Sequence, residues 1–123
     1  MKKTIYVSHS RNFDFKNELY KLLRESRLNK DYRIILPHES GEFNSKYLLR
    51  NNCELMIAEV SMPSTGLGIE IGWADLFEVP VIMVSKRESK NSSLSKIVAL
   101  RIEYDDGHDL IQKLEEVFKK RHF

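Results

Sequence analysis

Residues 54–84, ELMIAEVSMPSTGLGIEIGWADLFEVPVIMV, decide the fold. They begin and end with apolar runs, residues 54–60 (ELMIAEV) and 79–84 (VPVIMV), which are typical of strands buried on both faces. Between these runs, a loop containing proline and glycine leads into apolar residues at helical spacing. The helical stripe consists of Ile69, Trp73, Leu76 and Phe77. Two strands connected through a helix form a βαβ unit, in which both strands lie parallel in one sheet.

The rest of the chain repeats this alternation. Further strands are predicted at residues 4–8 (TIYVS), 32–36 (YRIIL) and 99–103. A first helix is predicted from the apolar stripe of Phe15, Leu19, Leu22 and Leu23, and weaker helical patterns occur at 43–51 and 94–98. A final helix, which begins at Asp106 or Asp109, is predicted from the stripe of Leu110, Leu114, Val117 and Phe118. The pattern predicts a single α/β domain over residues 1–123. It is a three-layer sandwich around a five-stranded parallel sheet, of flavodoxin-like or Rossmann-like type.

Composition excludes several classes of protein. Twenty Lys and Arg against eighteen Asp and Glu give a net charge of +2, which argues against specific nucleic-acid binding as the main task. The apolar runs are too short to span a bilayer, and the N-terminus has no apolar signal core. The single cysteine, Cys53, fits a reducing compartment, so we expect a cytoplasmic protein. No Cys/His spacing indicates a metal site, and we expect no cofactor.

Two loops are predicted at the carboxyl ends of strands, where sheets of this type bind ligands. The loop after the first strand offers Ser8, His9, Ser10 and Arg11, and the loop after the third strand offers Ser61, Ser64, Gly66 and Gly68. Hydroxyl groups and free backbone N–H groups at a helix N-terminus bind phosphate and other anions. His9 is a candidate to bind phosphate or to donate to a base, and Arg11 is either a phosphate partner or a solvated side chain.

Glu70 is predicted in the first turn of the helix that follows the second of these loops. An acidic residue there is commonly explained by the helix dipole alone. The alternative is that an ionised carboxylate at the mouth of a cleft serves as a nucleophile. Gly66 and Gly68 would then allow a substrate to approach the backbone.

Residues 58–72, AEVSMPSTGLGIEIG, resemble the nucleoside 2-deoxyribosyltransferase superfamily, most closely its 2'-deoxynucleoside 5'-phosphate N-hydrolases. The opening residues KKTIY and the segment VPVI resemble the same proteins. The resemblance implies cleavage or transfer at the N-glycosidic bond of a 2'-deoxynucleoside or its 5'-monophosphate. It implies that Glu70 is the nucleophile, that Tyr6 is an active-site tyrosine, and that Ser64 and Gly66 hold the 5'-phosphate. It also implies that Ser95 reaches the phosphate from a neighbouring subunit, and hence a homodimer with shared active sites.

The sequence departs from the family at one expected catalytic position. The family places an aspartate on the helix before the third strand, where this chain has Lys46. The available replacements are His38, Glu39, Glu42 and Glu54, of which Glu54 is the poorest because it begins a strand. In the first loop, Ser8 and His9 stand where the family usually has glycine. Outside the resemblance, we expect His38 to be solvated and Trp73 to pack on a helix face.

Two further functions stay open at this stage. The run VSHS before an amphipathic helix is similar to the start of Toll/interleukin-receptor domains, some of which cleave NAD with a glutamate. The missing aspartate is also compatible with a nucleotide-binding regulatory module without catalytic activity.

Overall fold

A five-stranded, fully parallel sheet organises the chain. The structure, a computed structural model, describes residues 2–39, 44–87 and 97–121. The strands are β1 (Thr4–His9), β2 (Arg33–Ile35), β3 (Leu55–Glu59), β4 (Val81–Lys86) and β5 (Leu100–Tyr104). Their order is β2-β1-β3-β4-β5, and every neighbouring pair is parallel. The predicted α/β fold is confirmed, and of the two predicted types the strand order is the flavodoxin-like one.

Helices cover both faces of the sheet. They are a π-helical segment (Lys16–Tyr20) that runs directly into α1 (Lys21–Glu25), then α2 (Leu28–Asp31), α3 (Ser45–Asn51), α4 (Thr65–Leu76) and α5 (Gly107–Arg121). Ile5 and Val7 of β1 pack in the core formed with α1, α2 and α5, whereas Tyr6 packs in the core formed with α3 and α4. This split follows from the strand itself, because successive side chains point to opposite faces. No helix among the described residues is long and apolar enough to cross a membrane.

The chain reverses its direction of travel across the sheet at β1. It passes from β1 to β2 on one side and then returns to place β3 on the other side. In the register of β1 and β3, His9 lies opposite Glu59 at the carboxyl ends of both strands. This is the position where sheets of this class open a crevice for a ligand.

The element boundaries differ from the prediction where capping and proline intervene. Helix α4 starts at Thr65, four residues before the predicted stripe, because the Ser64 side chain accepts a hydrogen bond from the Leu67 N–H at 3.4 Å. Strand β4 starts at Val81 and not at residue 79, since Pro80 has no N–H to donate to a ladder. The short helix predicted at 94–98 lies largely outside the described residues.

The last helix packs closely against the first helical region. Asp106, and not Asp109, caps α5, because its side chain accepts a hydrogen bond from the Asp109 N–H at 2.9 Å. The next residue is Gly107, where an added Cβ would lie 2.1 Å from Leu22 Cδ1 and 3.1 Å from the Glu18 carbonyl oxygen. A larger residue at this position would therefore force the Leu22 side chain to move where α5 meets α1.

Candidate active site

The Glu70 carboxylate is held by two hydroxyl groups from the central strand. Tyr6 donates to Oε2 at 2.7 Å and Ser8 donates to Oε1 at 2.6 Å. Residues 6 and 8 are two positions apart in β1, so their side chains point to the same face of the sheet. Helix α4 covers that face, and both hydroxyls therefore reach one side chain of the helix. Each carboxylate oxygen keeps further lone pairs available after accepting these bonds.

Glu70 lies deeper in α4 than the sequence predicts. Because the helix begins at Thr65, Glu70 is in the second turn, and the first turn contains no acidic residue. The placement in the first turn was wrong because the N-cap is Ser64. The effect of the helix dipole falls off within the first turn, so it does not by itself account for a glutamate at this position.

Tyr6 is a neutral hydrogen-bond donor to Glu70. Its side chain is almost fully buried, and burial together with the nearby Glu70 charge raises the pKa of the Tyr6 phenol well above its usual value. The phenol therefore keeps its proton throughout the physiological pH range. It orients the carboxylate without neutralising it.

Glu70 and Tyr6 line an open cavity of about 810 Å³ at the carboxyl edge of the sheet. The cavity walls come from the residues after β1 and β2, the start of α3, and the first turns of α4. Among the predicted binding residues, the lining includes His9, Ser10, Arg11, Ser64 and Gly66. The two predicted loops therefore meet at one site, as the position of the strand ends requires.

Three of the predicted residues do not line the cavity, and one falls outside the described residues. Ser8 is buried beneath the cavity and contacts Glu70 from there. Gly68 is not in the lining. The Ser61 side chain is held elsewhere, since it donates to Glu59 at 2.9 Å and accepts from the Lys86 N–H at 2.8 Å. Ser95 lies outside the described residues.

His9 lines the cavity, but both of its ring nitrogens are engaged within the protein. Nδ1 lies 2.9 Å from the Ser10 carbonyl oxygen, which can only accept, and Nε2 lies 2.7 Å from the Tyr20 hydroxyl. Burial lowers the pKa of the His9 imidazole, so the neutral Nδ1–H tautomer fits both partners. In this arrangement His9 has no N–H to donate to a phosphate or to a base.

The π-helical segment places Tyr20 at the centre of this hydrogen-bond chain. The Tyr20 hydroxyl donates to His9 Nε2 and accepts from the His38 backbone N–H at 3.2 Å. Burial raises the pKa of Tyr20 to about 12, which keeps the hydroxyl protonated. π-Helical turns are rare and often occur at functional sites. Here the turn fixes the backbone of His38 relative to β1.

His38 and Trp73 also line the cavity, although the sequence predicted solvation for the first and packing for the second. His38 is an exposed residue, and its ring stacks on Phe15 with ring centroids 4.9 Å apart. Trp73 is half-buried, and the Lys46 ammonium lies 5.8 Å from the centroid of its ring. Since residue 38 follows β2, the rule that ligands bind at the carboxyl ends of strands also applies to His38.

The other candidate replacements for the missing aspartate are not in the cavity lining. Glu39 pairs with Arg24 through contacts of 2.6 and 3.2 Å. Glu54 accepts from the Thr4 N–H at 2.5 Å at the opposite edge of the sheet. Lys46 is on α3, the helix before β3, as predicted. Glu42 lies outside the described residues.

A second hydrogen-bonded glutamate, which is fully buried, lies at the end of β3. Glu59 accepts hydrogen bonds from the Ser61 N–H at 2.5 Å, from the Ser61 hydroxyl and from the Tyr104 hydroxyl. Burial raises the pKa of the Glu59 carboxyl despite these donors and the nearby Lys86 charge. This cluster connects the ends of β3, β4 and β5. We refer to Glu59, Ser61 and Tyr104 as the Glu59 cluster, and to Glu70, Tyr6 and Ser8 as the Glu70 cluster.

Comparison with known proteins supports the fold. No protein-family model matches the chain, and no curated protein matches its sequence. Among solved structures, the chain is similar to the CMP N-glycosidase BcmB of Clostridium botulinum, with 19% identity, a TM-score of 0.72, and coverage of 94% of this chain and 99% of that one. It is also similar to the signal receiver domain of a putative Luxo repressor protein from Vibrio parahaemolyticus, with 13% identity, a TM-score of 0.60, and coverage of 98% and 92%.

The fold and the site together define a class of protein. It is a flavodoxin-like α/β domain with a hydrogen-bonded glutamate at the bottom of a cavity at the topological switch point.

Proposed function

We propose that this protein cleaves the N-glycosidic bond of a nucleotide with Glu70 as the nucleophile. The observation that carries the proposal is the Glu70 cluster, in which two neutral hydroxyls orient a carboxylate that faces an open cavity. The similarity in fold to a CMP N-glycosidase along nearly the whole of both chains adds support. Carboxylates placed in this way perform double displacement in retaining glycosidases.

The reaction proceeds in two steps. A Glu70 oxygen forms a bond to the anomeric carbon C1' while the C1'–N bond breaks, and the bonding electron pair leaves with the base. Water then attacks C1', releases the sugar and restores the carboxylate. Hydrogen bonds from Tyr6 and Ser8 hold the carboxylate in position throughout, so little reorientation is needed at the moment of attack.

The 5'-phosphate of the proposed substrate would bind at the start of α4. Ser64 and Gly66 line the cavity there, and the first turn of a helix leaves backbone N–H groups without helical partners. Arg11, in the loop after β1, also lines the cavity and takes part in none of the ion pairs found among the described residues. A guanidinium in this position can bind phosphate through two hydrogen bonds.

We further propose that the substrate is a 2'-deoxynucleoside 5'-monophosphate, on the basis of the motif at residues 58–72. The solved structure to which the chain is similar acts on CMP, a ribonucleotide. Both sugars therefore belong in the substrate panel. A sugar without the electron-withdrawing 2'-hydroxyl forms the oxocarbenium-like transition state more readily, so the deoxy substrate needs less stabilisation.

The proposed active unit is a homodimer in which Ser95 reaches the partner's phosphate site. Exposed apolar side chains on α3 and α4, the two helices that contribute to the cavity wall, support this arrangement: Ile69 and Leu76 on α4 are 48% and 70% exposed, and Tyr47 on α3 is 61% exposed. Burying such side chains is the main source of stability in obligate dimers. Sedimentation analysis of the wild type and of the Leu76→Lys variant tests this, because a charge at such an interface would shift the population towards monomer.

The decisive experiment compares possible substrates of the wild-type protein. The protein is incubated with the four deoxynucleoside monophosphates, with CMP, with deoxynucleosides plus a second free base, and with NAD, and released base or nicotinamide is measured by chromatography. Free base from a monophosphate supports the proposal, and the favoured sugar identifies the substrate class. Base exchange in the third set indicates a transferase.

Two outcomes, one of which needs a binding measurement as well, would contradict the proposal. If NAD were the only compound cleaved, with release of nicotinamide, the result would favour the Toll/interleukin-receptor-like activity. Nucleotide binding by calorimetry without turnover in any set would favour the regulatory module.

A further inference from the structure

We propose that His38 is the general acid that protonates the departing base, an inference that rests on the proposed function. A nucleobase leaves poorly as an anion, so cleavage is faster when a proton reaches it as the C1'–N bond breaks. The family resemblance predicts a catalytic aspartate at position 46, but this chain has Lys46 there. Lys46 is not in the cavity lining. The structure therefore requires a different donor.

His38 has the position and the freedom that this role needs. It follows β2 directly after Pro37 and lines the same cavity as Glu70. His38 is an exposed residue, and none of the hydrogen bonds between described residues uses its ring nitrogens. A substrate in the cavity can therefore accept a hydrogen bond from this ring.

The ring and the backbone of His38 are both positioned by neighbours. Its imidazole stacks on Phe15 at 4.9 Å with an interplanar angle of 29°, and it lies 5.2 Å from the His9 ring. Its backbone N–H donates to the Tyr20 hydroxyl. A general acid must be held within hydrogen-bonding reach of its target, and these contacts restrict the ring without occupying its nitrogens.

The other proton-bearing groups of the described lining are engaged or unsuitable. Tyr6 donates to Glu70, and its raised pKa makes it a poor acid. His9 carries its proton on Nδ1, facing the Ser10 carbonyl oxygen. Arg11 lines the cavity, but a guanidinium does not release its proton in proteins. His38 is the titratable residue of the described lining whose ring nitrogens take part in no hydrogen bond between described residues.

The proposed step balances protons and electrons. The His38 imidazolium N–H transfers its proton to a nitrogen or oxygen of the base while the electron pair of the C1'–N bond moves onto the base. Glu70 forms the new bond to C1'. In the second step, neutral His38 accepts a proton from the attacking water, which returns the imidazole to its starting form.

The test compares two leaving groups in one variant. His38→Gln removes the proton but keeps a polar side chain of similar reach. It is assayed against the preferred nucleotide and against 4-nitrophenyl β-ribofuranoside 5-phosphate or its 2-deoxy counterpart, whose nitrophenolate departs without protonation. We expect kcat/KM for the nucleotide, which reports on the first step, to fall by roughly 10²–10⁴-fold, as for other lost general acids, while kcat/KM for the nitrophenyl substrate stays close to wild type.

His108→Gln provides the matched control, since His108 is an exposed histidine on α5 away from the cavity. It should behave as wild type with both substrates. Equal losses of kcat/KM on the two substrates in His38→Gln, or no loss on either, would overturn the role of His38. Failure of the proposed function looks different: the wild type would then release neither base nor nitrophenolate, and Glu70→Gln would change nothing.

Discussion

The Glu70 and Glu59 clusters are built from the same three kinds of side chain, yet they differ in access. Each glutamate accepts hydrogen bonds from one tyrosine and one serine hydroxyl. Glu70 is half-buried at the floor of the cavity, whereas Glu59 is 1% exposed, is not in the cavity lining and accepts a third bond from a backbone N–H. The first carboxylate has room for a reacting atom and the second has none.

This difference shows that a hydrogen-bonded glutamate is not by itself evidence of catalysis. The Glu59 cluster fixes the exit of β3, and the Lys86 N–H joins it to the end of β4 through Ser61. That exit leads directly to Ser64 and the start of α4. The Glu59 cluster therefore supports the loop that carries the candidate site, and the Glu70 cluster performs the proposed chemistry.

The largest expected effect is a loss of kcat on substitution of Glu70 that substitution of Glu59 does not cause. Glu70→Gln should lower kcat by about 10⁴-fold or more, as the loss of a catalytic nucleophile does, with only a small change in the free energy of unfolding. Glu59→Gln should retain turnover because residue 59 does not line the cavity. Steady-state kinetics and urea unfolding of both variants test the comparison. Equal loss of activity in the two variants would contradict the division of roles.

Removing the hydroxyl groups of Tyr6 and Tyr104 should also affect activity in one case and stability in the other, with a smaller loss of activity. A hydrogen bond to a charged group is worth about 1.5–3 kcal/mol, so Tyr6→Phe should lower kcat by about 10–100-fold. Tyr104→Phe should instead lower the free energy of unfolding by a similar amount, about 1.5–3 kcal/mol, and leave kcat near wild type. If Tyr104→Phe impaired turnover and left stability intact, the Glu59 cluster would have a direct part in the reaction.

The difference in the pH dependence of stability between the wild type and Glu59→Gln should report on Glu59. Because burial raises the pKa of Glu59 in the folded state, the folded protein holds this proton at pH values where the unfolded chain, with a pKa of about 4.3, has lost it. Its stabilising contribution is thus complete below the unfolded pKa and is lost as pH rises through the folded pKa. Urea unfolding between pH 4 and 8 should show that the wild type loses stability relative to Glu59→Gln over this interval. A constant difference between the two proteins would show that the carboxyl is ionised in both states.

The smallest effect concerns the glycines beside the Glu70 cluster. An added Cβ at Gly68 meets no atom within 4 Å, and at Gly66 it meets only the Ser64 hydroxyl at 4.0 Å. Helical Gly→Ala changes without a clash add about 0.5–1 kcal/mol to stability, so both variants should unfold at higher urea concentration. Gly66→Ala should also raise KM because residue 66 lines the cavity, and Gly68→Ala should not. An unchanged KM for Gly66→Ala would remove this position from the binding site.

Much of the fold follows from local patterns along the chain. The apolar runs at residues 54–60 and 79–84 predict buried parallel strands because both of their faces are apolar. The stripe from Leu110 to Phe118 likewise predicts an amphipathic helix, which the structure contains. The boundaries that were missed depend on single atoms, such as the Ser64 hydroxyl that starts α4 before the stripe begins.

The site was predictable only in part. The rule that ligands bind at the carboxyl ends of strands selects the loops that contain His9, Arg11 and Ser64, and all three residues line one cavity. The same rule could not show that both ring nitrogens of His9 are engaged. One of them contacts Tyr20, which lies in a π-helical turn, and the spacing of apolar residues in the sequence does not reveal such a turn. It also could not separate Ser61 from Ser64, which belong to one loop but face different clusters.

The sequence by itself determined that this chain is a five-stranded α/β domain with a glutamate-bearing helix after its third strand, since strand and helix periodicities are local properties. Tertiary structure alone decided which partner each carboxylate received. Tyr6 meets Glu70 across 64 positions and Tyr104 meets Glu59 across 45. Such pairs depend on strand order, on register and on which helix covers each face, and these are set by packing of the whole chain.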